Sequence, residues 1–403
     1  MSSLIFLGRR DVVAVFVAKG IRTFCYGYLG ILLPLHLADL GMSAAGVGAF
    51  VTLTLVASAT LTWAVRAPAE RFGARAALVG LAALSAVAAV LLLASRQPWL
   101  VIVGAMLGNV AVGAGETGPF LSIEQVVMAR VVGPGQRTTV LSLYNLLGYA
   151  AAALGAAAVV IGKPGALFGM FLAGALVQVA AYAALGSVSP ATRRAAPVVR
   201  STPVIRRMAA LFALDSFAGG FVLQSLIAYF LHVRFGLGLE DLGRVFFVAQ
   251  VLTAASLLLA PRLARAFGLL PTMVVTHLVS NVLLIAIAAA PSAWLAVALL
   301  YARQLLSQID VPTRQAWVMS VVADHERESA ATTTTLWRTA AQAITPTVTG
   351  WVMQTISLSA PFVIGGTLKI LYDLLLYRTF KDLKPSEPDS TDQRQRSGAT
   401  PRA

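Results

Sequence analysis

Twelve long apolar segments alternate with shorter polar connections along the chain. The segments lie at approximately 11–36, 43–65, 76–94, 99–128, 138–161, 166–187, 208–233, 241–260, 271–290, 293–321, 330–356 and 361–380. A helix needs about 20 mostly apolar residues to cross the hydrocarbon core of a bilayer. A β-barrel would show alternating segments of about ten residues instead, which this sequence lacks. The pattern therefore predicts an all-α polytopic membrane protein with 12 transmembrane helices.

Composition and charge agree with this pattern and add an orientation. Hydrophobic residues make up 58% of the 403 residues and charged residues only 12%, against about a quarter charged in soluble domains. Of the 31 Lys and Arg residues, 21 fall in the tails and the connections on one side, 4 on the other side and 6 inside the segments. Cytoplasmic loops carry the excess of Lys and Arg. We therefore expect a protein of the cell inner membrane with both termini in the cytoplasm, and the net charge of +14 indicates orientation in a lipid bilayer, not a nucleic-acid partner.

Residues for catalysis or metal binding are scarce. Cys25 is the single cysteine and the histidines number four, which excludes an intramolecular disulfide and a thiolate metal cluster. A membrane-embedded enzyme would need a nucleophile with its base, or metal ligands at helical spacing. Because no such set is visible, we expect no metal, no cofactor and no enzymatic activity.

The chain divides near its middle. Residues 188–207 are basic and contain prolines, so they are predicted to be a cytoplasmic linker between six-helix bundles at 1–187 and 208–380. Residues 381–403 are predicted to be a disordered cytoplasmic tail, because they are rich in Pro, Ser, Asp and Arg. The fourth and tenth segments echo each other, for example at Glu124 and Arg314, 190 positions apart. Such an echo indicates two pseudo-symmetric halves, as in repeat transporters.

The connection between the second and third segments carries a family motif. It reads Arg66-Ala67-Pro68-Ala69-Glu70-Arg71-Phe72-Gly73-Ala74-Arg75, which resembles the signature loop G-x-x-x-D-R-x-G-R-[RK] of the major facilitator superfamily. Glu70 stands for the aspartate, and Arg66 replaces the first glycine. A decayed copy, Leu263-Ala264-Arg265-Ala266-Phe267-Gly268, follows the eighth segment. The resemblance covers about residues 11–380 and extends to bacterial facilitators regarded as exporters.

This resemblance implies a gate at the cytoplasmic face. In the family, the signature loop ties neighbouring helix ends together in the outward-facing state, which assigns Glu70, Arg71, Gly73 and Arg75 to the gate. The alternative interpretation makes the arginines simple positive-inside anchors. Glu124 and Arg314, at echo-related positions near the cytoplasmic ends of their segments, are predicted to form a gate ion pair.

Ionisable side chains inside the apolar segments are costly, so they face a cavity or a partner. They fall into stripes along single helical faces, mainly on segments one, four, seven, ten and eleven. In the facilitator fold, the first four of these segments line the central cavity and the eleventh is a close neighbour. The predicted substrate and proton pathway comprises Lys19, Arg22, Tyr26, Asn109, Glu116, Asp215, Arg303, Asp310, Arg338 and Gln342.

These stripes admit two interpretations. Glu116, Asp215 and Asp310 are candidate proton carriers that exchange partners with Arg22, Arg303 or Arg338; alternatively, the charges are static ion pairs that hold the bundle together. His277 and Asn281, at i and i+4, are read as an interhelical hydrogen-bonding pair.

The leading hypothesis is a secondary transporter that works by alternating access as a monomer. On the resemblance alone, we favour proton-coupled efflux, by antiport, of a small toxic compound, drug or metabolite. The alternative is proton-coupled uptake of a small organic anion or polar nutrient, which the six basic residues inside the segments favour.

Overall fold

The chain is all-helical over the residues that the structure describes. This computed structural model describes residues 10–111, 118–132, 137–186, 203–321 and 327–382. Its α-helices are α1 (Arg10–Asp39), α2 (Ala44–Ala64), α3 (Arg66–Ala94), α4 (Pro98–Leu107), α5 (Pro119–Val131), α6 (Arg137–Ala158), α7 (Pro164–Ala183), α8 (Pro203–Gly220), α9 (Gln224–Phe235), α10 (Leu239–Phe267), α11 (Leu269–Ala288), α12 (Ala293–Ser307), α13 (Asp310–Val321), α14 (Arg327–Thr355) and α15 (Ala360–Phe380). Of the predicted linker, residues 203–207 are helical and the rest lies outside the described residues; the predicted tail lies outside them from residue 383 onward.

Each predicted span contains helix, and the prediction of a twelve-helix membrane protein is confirmed. Among the described residues, eight helices are long and apolar enough to cross a membrane, with α8 and α9 counted together. The other four predicted spans correspond to α4 with α5, to α6, to α12 with α13, and to α14. These spans are interrupted, or carry a shorter apolar run or a polar stripe, as helices beside an aqueous cavity do.

Three spans that the sequence predicted as continuous are each divided into two helices. Asn109 follows α4 with a positive φ of 48°, and α5 then begins at Pro119. Between α12 and α13 the chain turns at Gln308, because Pro312 has no N–H to bond the Gln308 carbonyl and its ring crowds that oxygen. Non-helical backbone is tolerated at membrane depth where it lines a cavity, and Asn109, Gln308 and Val222 at the third break all do so.

The two halves repeat one packing scheme. In the first half α1 packs against α6 and α7, and α3 against α4 and α7; in the second half α8 packs against α14 and α15, and α11 against α12 and α15. Gly73 and Gly268, 195 positions apart, share one backbone conformation, with φ 86° and ψ 163° or 162°. Positive φ favours glycine, so both copies of the motif loop turn in the same way. The two pseudo-symmetric six-helix halves are thus confirmed.

The halves meet chiefly through the helix pairs α2 with α14 and α6 with α10, and α1 also contacts α9. A Cβ atom on Gly350 of α14 would lie 2.4 Å from the carbonyl oxygen of Ala44 and 2.9 Å from the Cα atom of Gly48. In the other pair, a Cβ atom on Gly243 would lie 2.7 Å from the carbonyl oxygen of Ala156. Small residues allow helix backbones in a membrane to approach this closely. Both crossings lie at the end of the bundle that holds the α1–α2 connection, which we call the far end. The opposite end, where α1 begins and α15 finishes, we call the terminal end.

The apolar core shows where the halves are joined. At the far end one cluster includes Leu29 and Phe50 from the first half together with Phe230 and Phe246 from the second. At the terminal end the described residues form two separate clusters, one around Phe120 in the first half and one around Phe212, Met273 and Trp317 in the second. The halves are therefore closed together at the far end, and the space between them lies toward the terminal end.

Candidate functional site

A central cavity lies between the two halves and consists of two adjacent chambers that share part of their lining. The first, of about 500 Å³, is lined mainly by the second half. The second, of about 670 Å³, lies between α1, α6 and α10. Ala111, Tyr149, Gln224 and Val311 line both chambers, so a single molecule can extend from one into the other. Volumes of this size suit small organic ligands.

Most of the residues predicted to lie on the substrate and proton pathway line this cavity. Asn109, Asp215, Arg303, Asp310, Arg338 and Gln342 line the first chamber, together with Arg314. Lys19 and Tyr26 line the second chamber. Arg22 is fully buried and lines neither. Glu116 lies outside the described residues.

The first chamber has a carboxylate held by two cations. Lys369 Nζ on α15 lies 2.6 Å from Asp215 Oδ1, and Arg314 Nη1 on α13 lies 3.1 Å from Asp215 Oδ2. The same Arg314 Nη1 is 3.0 Å from Asp310 Oδ2. All four side chains are buried, so the attractions act with little screening by water. Asp215 is thus the point at which α8, α13 and α15 are joined.

Behind this carboxylate lies a second acidic group that the sequence analysis missed. Asp373 on α15 is fully buried and accepts hydrogen bonds from His277 Nδ1 at 2.7 Å and from Asn281 Nδ2 at 3.1 Å. The other ring nitrogen of His277 is 3.6 Å from Asp215 Oδ1 and 3.5 Å from Lys369 Nζ. The predicted interhelical pair of His277 and Asn281 therefore meets a shared carboxylate. The sequence does contain a signal for Asp373, because an aspartate inside an apolar span, four positions after Lys369, is costly unless it has a partner.

Two further arginines in the first chamber donate their hydrogen bonds to neutral side chains among the described residues. Arg338 Nε donates a hydrogen bond to Ser216 Oγ at 2.9 Å, and Arg303 Nη1 donates one to Gln304 Oε1 at 2.9 Å. Arg303 Nε is buried with no hydrogen-bond partner among the described residues. Among the described residues, the chamber lining thus carries four basic side chains and two carboxylates, Asp215 and Asp310. Even when Asp373 is counted and His277 is neutral, these described side chains leave one positive charge in excess.

Asn109 presents an unsatisfied amide to the same chamber. Its side chain is 3% exposed, and neither Oδ1 nor Nδ2 has a hydrogen-bond partner among the described residues. Its backbone is in the left-handed region, which asparagine tolerates better than most residues. A buried amide without a partner costs free energy, so this group has a donor and an acceptor available for a ligand.

The first half contains one buried ion pair of its own. Arg22 Nη2 on α1 lies 2.6 Å from Glu124 Oε2 on α5. Tyr144 and Tyr182 each donate a hydroxyl hydrogen bond to Glu124, at 2.5 and 2.6 Å, and the Arg22 guanidinium stacks over Phe120 at 4.4 Å. The predicted gate pair, Glu124 with Arg314, is not brought together, because each side chain has its partner within its own half.

The ion pairs of the two halves are related by symmetry with their charges exchanged. Arg22 and Asp215 are 193 positions apart on the corresponding helices α1 and α8, and Glu124 and Arg314 are 190 apart on α5 and α13. Each half therefore joins its first and fourth spans by an arginine–carboxylate pair. In the first half the arginine is on the first span, and in the second half it is on the fourth.

The signature loop lies outside the cavity. Glu70, Arg71 and Arg75 are exposed, and Gly73 provides the turn into the membrane part of α3. The Arg71 guanidinium lies 5.2 Å from the centre of the Phe72 ring. Their predicted role in a gate stays a prediction.

Comparison with known proteins places the fold. A sequence model of the Major Facilitator Superfamily matches residues 15–307. An uncharacterized membrane protein of Saccharomyces cerevisiae is 23% identical over 420 residues, covering 91% of this chain and 93% of the yeast protein. The structure of the nucleoside transporter NupG is similar with a TM-score of 0.72 at 14% identity, covering 93% of this chain and 100% of that one. An auto-inhibited peptide transporter of the POT family reaches 0.73 at 11% identity, with 94% and 99% covered.

Proposed function

The chain belongs to the major facilitator superfamily, and solved structures similar to it include a nucleoside transporter and a peptide transporter. We propose that it is a secondary active transporter that carries a small organic anion together with protons by alternating access. The observation that supports the anion is Asp215, held in the cavity by both Lys369 and Arg314. Family membership points to a transporter and not to an enzyme.

Proton binding and anion binding assist each other in this arrangement. While Asp215 is ionised, it pairs with both Lys369 and Arg314. When it takes a proton, both cations lose that partner and can bind an anionic cargo. Two ligands that favour the same rearranged site bind with positive coupling, and the coupling is reciprocal. Asp310 is the second carboxylate that contacts Arg314, and its protonation releases that arginine in the same way.

Positive coupling between proton and cargo is the condition for symport. With an inwardly directed proton gradient the cargo is taken up. Uptake is the alternative function that the sequence analysis gives beside efflux. The preferred prediction, proton-coupled efflux of a toxic compound, drug or metabolite by antiport, requires proton and cargo to compete. A cationic cargo would compete for Asp215, but the excess of basic side chains in the chamber disfavours it.

We further propose the orientation and setting that the sequence predicts. With both termini in the cytoplasm of an inner-membrane protein, the terminal end faces the cytoplasm and the cavity is inward-facing. We also propose that the transporter works as a monomer. The predicted pathway residues that line the cavity keep their proposed role, as does Glu116, whereas Arg22 is assigned to the buried ion pair with Glu124.

The sign of the proton flux tests this proposal. Purified protein is reconstituted into vesicles that contain a pH-sensitive dye, and ethanesulfonate, benzoate or succinate is added outside, with empty vesicles as the control for passive entry. Symport acidifies the interior, and antiport makes it more alkaline. We expect acidification with the wild-type protein and its loss in Asp215→Asn and Asp310→Asn. Both variants should still exchange labelled ethanesulfonate across the membrane at equal pH. Alkalinisation, or undiminished proton flux in both variants, would overturn the proposal.

A further inference from the structure

The larger of the two chambers has a different chemical character from the first. Its wall is formed mostly by apolar side chains, and among the described residues Lys19 is the one charged member of its lining. The apolar members include Leu121, Leu143, Leu146, Leu257 and Leu258. This chamber therefore suits the apolar part of a ligand, whereas the first suits a charged part.

Two leucines on facing helices contribute exposed apolar surface to the chamber wall. Leu258 on α10 is 68% exposed and Leu146 on α6 is 47% exposed, and both belong to the chamber lining. Apolar surface gains about 25 cal/mol per Å² when it is removed from water. A ligand that covers these leucines therefore gains affinity from the contact.

The difference between the two walls follows the pseudo-symmetry of the fold. Gly27 packs on Ala152 of α6, and Gly220, 193 positions later, packs on Thr345 of α14. By the same offset, Leu146 corresponds to Thr339 and Tyr149 to Gln342, while Asn145 corresponds to Arg338. On α14 these positions carry one charge and two polar groups, whereas on α6 they carry one amide, one apolar side chain and one aromatic ring. One side of the cavity is thus more cationic and the opposite side more apolar.

We propose that the cargo is an amphipathic organic anion, with its charged group among the basic residues of the first chamber and its apolar body against Leu146 and Leu258 in the second. The proposal rests on the proposed anion transport and adds the substrate class. The four residues shared by the chambers, Ala111, Tyr149, Gln224 and Val311, mark the path that joins head and tail.

A homologous series of permanently charged anions tests this inference. Ethane-, butane-, hexane- and octanesulfonate are titrated against the protein in lipid nanodiscs, with binding followed by tryptophan fluorescence and partition into empty nanodiscs subtracted. We expect affinity to rise by about two- to fourfold per methylene, the range that corresponds to burial of one CH₂ group. In the Leu146→Ala/Leu258→Ala variant, hexanesulfonate binding falls by about tenfold, and ethanesulfonate binding is unchanged.

A matched variant controls for general effects of the substitutions. Leu154 and Leu259 lie on the same two helices and are 59% and 37% exposed, but they line neither chamber; Leu154→Ala/Leu259→Ala should retain the full chain-length dependence. Equal affinity for ethane- and octanesulfonate would overturn the amphipathic cargo while leaving anion transport intact. Failure of every sulfonate to bind would contradict the proposed function itself.

Discussion

Arg22 and Glu124 are fully buried and do not reach the cavity, so their contribution is to hold α1 and α5 together. Removal of one partner from a buried ion pair leaves an uncompensated charge, which typically costs about 3–5 kcal/mol. We therefore expect Arg22→Gln to destabilise the protein by that amount, with the two tyrosine hydroxyls retaining part of the stabilisation of Glu124. Unfolding in detergent, followed by heating or by denaturant, measures the change.

The double variant provides the control for this prediction. In Arg22→Gln/Glu124→Gln the two amides can hydrogen-bond each other and no buried charge remains, so most of the lost stability should return. Additive destabilisation by the two substitutions would contradict the assignment of a mutually compensating pair.

At this scale the sequence predicts which side chains are charged inside the membrane, but not which ones meet. Glu124 and Arg314 occupy echo-related positions, yet each pairs within its own half because α1 and α8 supply a nearer partner. Asp373 was overlooked because it lies on the last span, away from the stripes that define the cavity. Partners of this kind depend on how helices are rotated against one another, which hydropathy does not encode.

Close helix crossings at the far end govern whether that end can stay closed. Any side chain at Gly350 of α14 meets the backbone of α2 at Ala44 and Gly48, and overpacking of this kind costs about 1–3 kcal/mol. We expect Gly350→Val to shift the balance between the two access states by about 5- to 150-fold toward opening of the far end, with loss of transport. Thiol labelling of Val51→Cys from the outside should rise, since Val51 is buried in the far-end cluster.

Gly80→Ala is a suitable control for this effect. Gly80 also lies in a membrane helix, but a Cβ atom there has nothing within 4 Å. Transport by Gly80→Ala should match the wild type. Normal transport by Gly350→Val would show that the crossing does not limit closure.

The elements themselves were largely predictable, and their interruptions were not. The ends of α2 and α15 lie within one residue of the predicted segment ends, because an apolar run bounded by polar residues defines a span. The breaks at Asn109 and Gln308 lie within apolar or mildly polar runs, where hydropathy does not change. Pro312 was a local cue for the second break, whereas the break between α8 and α9 has no proline and follows the glycine pair Gly219 and Gly220.

The whole molecule is arranged so that access to the cavity is from one side. Cys25 is the single cysteine and is 1% exposed, so cysteines introduced elsewhere report with little background. We expect a membrane-impermeant maleimide to label Ser58→Cys, which lines the first chamber, in inside-out vesicles and not in intact cells. Val51→Cys should stay unlabelled in both.

The opposite labelling pattern would show that the termini are extracytoplasmic or that the resting state faces outward. A reporter fused to the C-terminus separates these outcomes, since a reporter that is active only in the cytoplasm marks the side of the tail. Activity of that reporter confirms the orientation, and labelling then reports the access state alone.

The single apolar cluster at the far end and the two separate clusters at the terminal end have a thermal consequence. Opening the far end hydrates the Leu29, Phe50, Phe230 and Phe246 side chains, whereas the terminal end closes over walls that carry Arg338 and threonines of α14. Hydration of apolar surface raises heat capacity and hydration of polar surface lowers it. The outward-facing state should therefore have the larger heat capacity. The logarithm of the equilibrium constant between the two states is then a curved function of inverse temperature. An Arrhenius plot of the transport rate should therefore be curved even if the rate-limiting step stays the same.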